Sequence, residues 1–226
     1  MQEQLKEVQN VSATDEAFAA ILADGSVVTW GDPENGGDSS AVQHQLKDVQ
    51  HIQATTFAFA AILADGSVVT WGDPEFGGDS SLLQDRLRSV RQIQAAESAF
   101  AAILAERTVV TWGDPECGGD SSAVQHQLKD VQQIQANDCA FAAILADESV
   151  VTWGDAEFGG DCSAVRDQLK SVQQLQATKD AFAAILADGS VVTWGDQMNG
   201  GDSSAVQHQL KGVQHIQATR SWLMDQ

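Results

Sequence analysis

The chain has 226 residues, with 12 Lys+Arg against 32 Asp+Glu and a formal net charge of -20. That balance argues against nucleic acid as a direct partner, because neutralising phosphates needs a basic surface, and against docking on anionic membranes. Apolar residues make up 43% of the chain, enough for a core, yet no apolar run approaches the roughly 20 residues of a membrane span.

The N-terminal stretch M-Q-E-Q-L-K-E-V-Q-N has neither a basic n-region nor an apolar h-region, so no signal peptide is expected. Cys117, Cys139 and Cys162 are an odd count without paired spacing, and they fall at three different positions of the repeat described next. They read as drift in an intracellular, reducing setting, cytoplasmic or nuclear.

A tandem repeat organises the whole sequence. Tryptophan in T-W-G-D recurs at Trp30, Trp71, Trp112, Trp153 and Trp194, each step being 41 residues without insertion or deletion. The units run at about 8–48, 49–89, 90–130, 131–171 and 172–212. Residues 213–226 carry a sixth V-Q-x-I-Q-A-T copy and then break the pattern at Ser221-Trp222-Leu223-Met224, as a terminal cap would. Residues 1–226 thus read as a single repeat domain.

Within a unit, Ile52-Gln53-Ala54 is expected as a short strand. Phe59 to Leu63 and Val68 to Trp71 flank Asp65-Gly66 and predict a β-hairpin, glycine supplying the positive φ. Pro74 and the Gly77-Gly78 pair end the strand in a loop. Ser40-Ala41-Val42-Gln43, like Ser81-Leu82-Leu83-Gln84, has the form of a capping box, and Val42, Leu46 and Val49 follow at helical spacing, so a short helix is expected there. One such unit carries too little burial to offset the backbone entropy of ordering it, so the units must stack.

The run A-F-A-A-I-L-A-D-G-S-V-V-T-W-G resembles the repeat of the regulator of chromosome condensation (RCC1) family across all five units. The resemblance implies a mainly β fold with short helices: an RCC1-like β-propeller of about five blades, Ile52-Gln53-Ala54 being the innermost strand of its blade. The family's repeats are usually longer and its rings usually have seven blades, so an open superhelical β/α solenoid is the alternative. The resemblance also implies a non-catalytic scaffold for protein–protein interaction or a structural subunit of a larger assembly. A guanine-nucleotide exchange factor for a small GTPase is the alternative function.

Residues that recur in every copy, such as Trp30, Phe18 and Ile21, mark a folding requirement, since an active site is needed once. No nucleophile elbow, P-loop or dinucleotide fingerprint occurs, and neither an enzyme nor a cofactor is expected. His44, His126 and His208 share one repeat position, but Asp85 and Asp167 replace them in the other copies and no ligand set is kept; with His51 and His215 they read as surface groups. The acidic loop trio Asp32, Glu34 and Asp38 repeats as Asp73, Glu75, Asp79, as Asp114, Glu116, Asp120 and as Asp155, Glu157, Asp161. The fifth copy keeps Asp196 and Asp202 around Met198. Oxygen-rich loops can hold calcium, but the spacing is not that of an EF-hand, so the trios are weak metal candidates and read first as solvated loops that support a helix N-terminus.

The informative positions are those that differ between copies. In the acidic loop these are Asn35, Phe76, Cys117, Phe158 and Asn199; after I-Q-A they include Phe57, Glu97, Asp138 and Lys179. Equivalent loops of a propeller converge on one rim, and rims bind partners. Phe76 and Phe158, flanked by acids, are the candidate anchors for a protein partner, and the charge favours a basic one.

Overall fold

The computed structural model describes residues 7–217. It contains five three-stranded antiparallel sheets in which strand order follows the chain. The first comprises β1 (Val8–Ala13), β2 (Ala17–Leu22) and β3 (Val27–Gly31); the second β4 (Val49–Ala54), β5 (Ala58–Leu63) and β6 (Val68–Gly72). The third comprises β7 (Val90–Ala95), β8 (Ala99–Leu104) and β9 (Val109–Gly113); the fourth β10 (Val131–Ala136), β11 (Ala140–Leu145) and β12 (Val150–Gly154). The fifth comprises β13 (Val172–Ala177), β14 (Ala181–Leu186) and β15 (Val191–Gly195). Each sheet is a propeller blade with the expected hairpin between its second and third strands.

The register explains the alanine-rich middle strand. Phe59 lies opposite Trp71 and stacks on it, ring centroids 5.1 Å apart, and the same pair recurs as Phe100–Trp112, Phe141–Trp153 and Phe182–Trp194. The other face of the strand is small, with Ala58 and Ala60 fully buried. Blades therefore pack large face to small face. Ala17, Ala19, Ile21 and Val27 of the first blade meet Val49, Ile52, Phe59 and Trp71 of the second, and three further clusters repeat this at the remaining boundaries. The core is thus divided between blade boundaries, as expected of modules that cannot bury enough alone.

One predicted element forms only in part. Where the capping box predicts a helix, the chain makes tight turns, with Val42 N–H donating to the Ser39 carbonyl at 3.0 Å and Gln45 N–H to the Val42 carbonyl at 2.8 Å. Only Ser81–Leu83 and Gln207–Gln209 complete a short helical turn in this region. The reason is that Ser39, not Ser40, is the anchored residue. Its hydroxyl, buried, lies 2.9 Å from Thr29 Oγ1 and 2.9 Å from Gln43 Oε1, while Gln43 Nε2 donates to the Val27 carbonyl at 3.0 Å. The glutamine is thereby spent on the third strand rather than on a helix N-terminus, and Val49, read as the end of a helical stripe, begins β4.

Helical turns form instead in the acidic loops, at Pro33–Gly37, Pro74–Phe76, Pro115–Gly119, Ala156–Gly160 and Gln197–Gly201. After the fifth blade, residues 213–217 form neither strand nor helix; the remainder of the expected cap, 218–226, lies outside the described residues.

The cysteines also depart from expectation. Cys117 of the third blade is disulfide-bonded to Cys139 of the fourth, and Cys162 is buried and free. An odd count hid the pair, because its members sit in different units and at different repeat positions.

Candidate partner-binding rim

The first-to-second-strand bends and the acidic loops meet at one end of every blade. Asp32 N–H donates to the Glu16 carbonyl at 2.9 Å, and Asp73, Asp114, Asp155 and Asp196 repeat the bond to Phe57, Ser98, Cys139 and Asp180. A second tie comes from the residue after I-Q-A: Thr55 Oγ1 donates to the Phe76 carbonyl at 2.9 Å and Asn137 Nδ2 to the Phe158 carbonyl at 2.6 Å. The hairpin turns lie at the opposite end.

Across this rim the backbone forms a continuous line. Asp15 N–H donates to the Thr56 carbonyl (3.0 Å), Thr56 to Glu97 (2.8 Å), Glu97 to Asp138 (2.7 Å) and Asp138 to Lys179 (3.0 Å). Equivalent residues of all five blades are thus held side by side, which aligns the predicted positions Glu97, Asp138 and Lys179. Lys179 Nζ lies 3.6 Å from Asp138 Oδ2. Burial, and then the neighbouring Asp138 carboxylate, raise the Glu97 pKa against the opposing pull of Lys179. Asp15 is raised as well, by burial and by Glu16.

The loop positions pair with the bend. Asn35 Nδ2 donates to Glu16 Oε2 at 2.7 Å, Phe76 meets the Phe57 ring edge-on at 4.7 Å, and Cys117 takes Cys139. Phe76 and Phe158 are half-buried over the second–third and fourth–fifth blade boundaries, and Asn199 is exposed. A groove of about 380 Å³ opens beside Phe76, lined by Pro74, Glu75, Ser98, Gly113, Asp114 and Pro115. The coupling between loop and bend positions was missed in the sequence, although the copies hint at it: phenylalanine stands at bend position 57 in the same unit that has Phe76 in its loop.

The acidic trios are committed locally. Asp32 Oδ1 accepts from Glu34 N–H at 2.9 Å and Asn35 N–H at 3.2 Å, capping the helical turn. Asp38 Oδ1 accepts from Ser40 N–H at 2.9 Å, and this bond with the serine hydroxyl holds its carboxyl below the ordinary value. Asp79, Asp120 and Asp202 are lowered in the same way. Among the described residues no group of three or more His, Cys, Asp and Glu gathers as a metal site. The five histidines are all exposed.

No helix among the described residues is long and apolar enough to cross a membrane. No family model and no curated protein sequence matches the chain. Solved structures do match. Human WBSCR16 aligns at 14% identity over 83% of this chain and 61% of its own, with a TM-score of 0.53. Prp20p of Saccharomyces cerevisiae, described with its binding to Gsp1p and histones, aligns at 16% over 83% and 58%, with a TM-score of 0.54. The same protein, named as yeast RCC1 bound to Kap60, aligns at 15% over 85% and 57%, with a TM-score of 0.55. The chain spans less than two thirds of each of these structures, and at such identities the likeness is one of fold. The five blades have the RCC1-like β-propeller fold.

Proposed function

We propose that this chain is a non-catalytic scaffold that holds a basic segment of a protein partner on its acidic rim. The observation that carries the reading is the hydrogen-bonded line from Asp15 to Lys179, which sets one variable side chain per blade in a row on a rigid backbone. The row and the loop positions beside it differ from copy to copy, while the strands that build the blades repeat. That is the division expected when a fixed frame presents a specific surface.

Charge supports the basic partner. The rim gathers the acidic trios with Asp15, Glu16, Glu97, Asp138 and Asp180; in the row Thr56 is neutral and Lys179 is the one cation. Phe76, Phe57 and Phe158 supply half-buried aromatic surface among those acids, suited to anchoring a segment whose cations the carboxylates steer. The histones and Gsp1p bound by Prp20p are consistent with an RCC1-like frame serving protein partners.

Capture of basic proteins at low and high salt tests the reading. Binding is expected to fall steeply with salt and to be lost in the double variant Phe76→Ser, Phe158→Ser with blades intact. Binding indifferent to salt, or a double variant that loses stability while capturing partner normally, would remove the rim from the account.

A further inference from the structure

The two ends of the array expose the two halves of one interface. At the four internal boundaries the glycine turn of one blade seats on the Phe–Trp pair of the next. A Cβ on Gly36 would stand 2.6 Å from the Phe59 ring, and the Trp71 indole N–H donates to the Gly36 carbonyl at 3.0 Å. At the start of the array no described residue covers this receiving face. Phe18 is 44% exposed where Phe59 is 0%, and Val11 is 49% exposed where Ile52 is 4%. Phe18 still stacks on Trp30 at 5.3 Å, so the face is formed without an occupant.

The far end has the matching deficit. Among the described residues, a Cβ on Gly200 would meet Thr178 Cγ2 alone, at 3.9 Å. Val206 is 45% exposed, whereas its counterparts Val42, Leu83, Val124 and Val165 pack into boundary clusters. Leu210 is half-buried where Leu46, Leu87, Leu128 and Leu169 are buried. Residues 213–217 follow the fifth blade as β4 follows the first, without forming a strand. Val213 N–H donates to the Gly189 carbonyl at 2.9 Å, as Val49 does to Gly25 at 3.0 Å, and Gln174 Nε2 holds the Ile216 carbonyl at 3.1 Å. Their sequence, V-Q-H-I-Q, repeats that of residues 49–53.

We propose that a second copy of this chain docks head to tail, its β2–β3 hairpin completing the sixth blade on residues 213–217 and its Phe18–Trp30 face covering Gly200, Val206 and Leu210. The occupant is specified by the internal boundaries. The first and second blades carry identical A-F-A-A-I-L and V-V-T-W-G strands, so the incoming hairpin meets the partner surface for which its equivalent, β5–β6, is already shaped. Its own β1, exposed along nearly all its length, gives way to an inner strand of better sequence, and one set of ladder hydrogen bonds replaces another. The contact is heterologous, so each dimer keeps one free end of each kind and can extend.

Light scattering on the full chain, with two end variants, tests this. The wild-type weight-average mass is expected to rise at least about twofold between roughly 1 and 100 µM, as mass action requires. Phe18→Lys and Val206→Glu are each expected to remain monomeric and to unfold cooperatively in urea as the wild-type monomer does, both sites being half-exposed. Mixed, they are expected to form a 1:1 dimer that grows no further, since each retains the end that the other has lost. Phe18→Ser, a milder change, is expected to weaken association in the same sense. A chain ending at Gly212 is expected to stay monomeric. A wild type monomeric throughout, single variants that assemble normally, a mixture that stays monomeric, or undiminished assembly by the shortened chain would each overturn the proposal. None of these readouts depends on a rim partner.

Discussion

The indole N–H of Trp112 donates to the Gly77 carbonyl at 3.1 Å, joining the third blade to the second across 35 residues of sequence. The same bond ties Trp71 to Gly36, Trp153 to Gly118 and Trp194 to Gly159. Tryptophan in W-G-D is therefore required by the preceding blade as much as by its own, and Trp30, with no preceding blade, meets no such acceptor among the described residues.

Trp112→Phe keeps an aromatic ring over Phe100 but orphans a buried carbonyl, and is expected to cost about 1–3 kcal/mol in urea unfolding. Trp30→Phe, the same change at the bare end, is expected to cost little in dilute solution. Equal losses at the two sites would mean that the bond across the boundary contributes nothing.

The repeat and the hairpin were legible because they rest on local rules: a fixed period and Asp-Gly turn chemistry. The capped helix was misread because Ser39 and Ser40 are adjacent and only tertiary contact with Thr29 and Val27 decides which is anchored. The rim was legible as a set of variable positions. Its pairing of Asn35 with Glu16, Phe76 with Phe57 and Cys117 with Cys139 was not, since each joins residues about twenty apart through a backbone course that only the folded blades define.

Two hairpins carry an avoidable strain. Where Gly25, Gly66 and Gly189 turn with positive φ, the third and fourth blades place Arg107 at φ 63° and Glu148 at φ 64°. A left-handed conformation costs a side-chain-bearing residue roughly 1–2 kcal/mol, partly offset by the extra chain entropy of glycine when unfolded. Arg107→Gly and Glu148→Gly are each expected to stabilise by about 1 kcal/mol, additively because they lie in separate blades. A loss of melting temperature in both would show that their side chains do more than tolerate the turn.

The cysteine pairing can be counted. Unfolded without reductant, the chain is expected to present one titratable thiol, Cys162; with reductant it should present three. Three thiols in protein purified under oxidising conditions would refute the bond. Cys139→Ser is expected to expose the thiol of Cys117 and to lower stability, because the cross-link restrains the unfolded chain.

Acidity should act on the rim and on the hairpin turns with opposite sign. Burial and the Asp138 carboxylate raise the Glu97 pKa, so ionising this group costs the folded state. That cost is complete above the raised folded pKa and vanishes below the ordinary value of 4.5. Glu97→Gln is therefore expected to raise the melting temperature at pH 7, by the equivalent of less than about 1 kcal/mol because solvent screens an exposed group, and to lose its advantage in acid. Asp24 runs the other way: the Ser26 hydroxyl and N–H hold its carboxylate, lowering its pKa from 3.8. Its contribution is present above 3.8 and is lost as pH falls through the lowered folded value, so Asp24→Asn should be less stable than wild type at pH 7 and converge with it in strong acid. Melting curves of the two variants across the acid range check both signs, and a Glu97→Gln advantage that persisted well below pH 4.5 would mean that ionising this half-covered carboxyl is not what strains it.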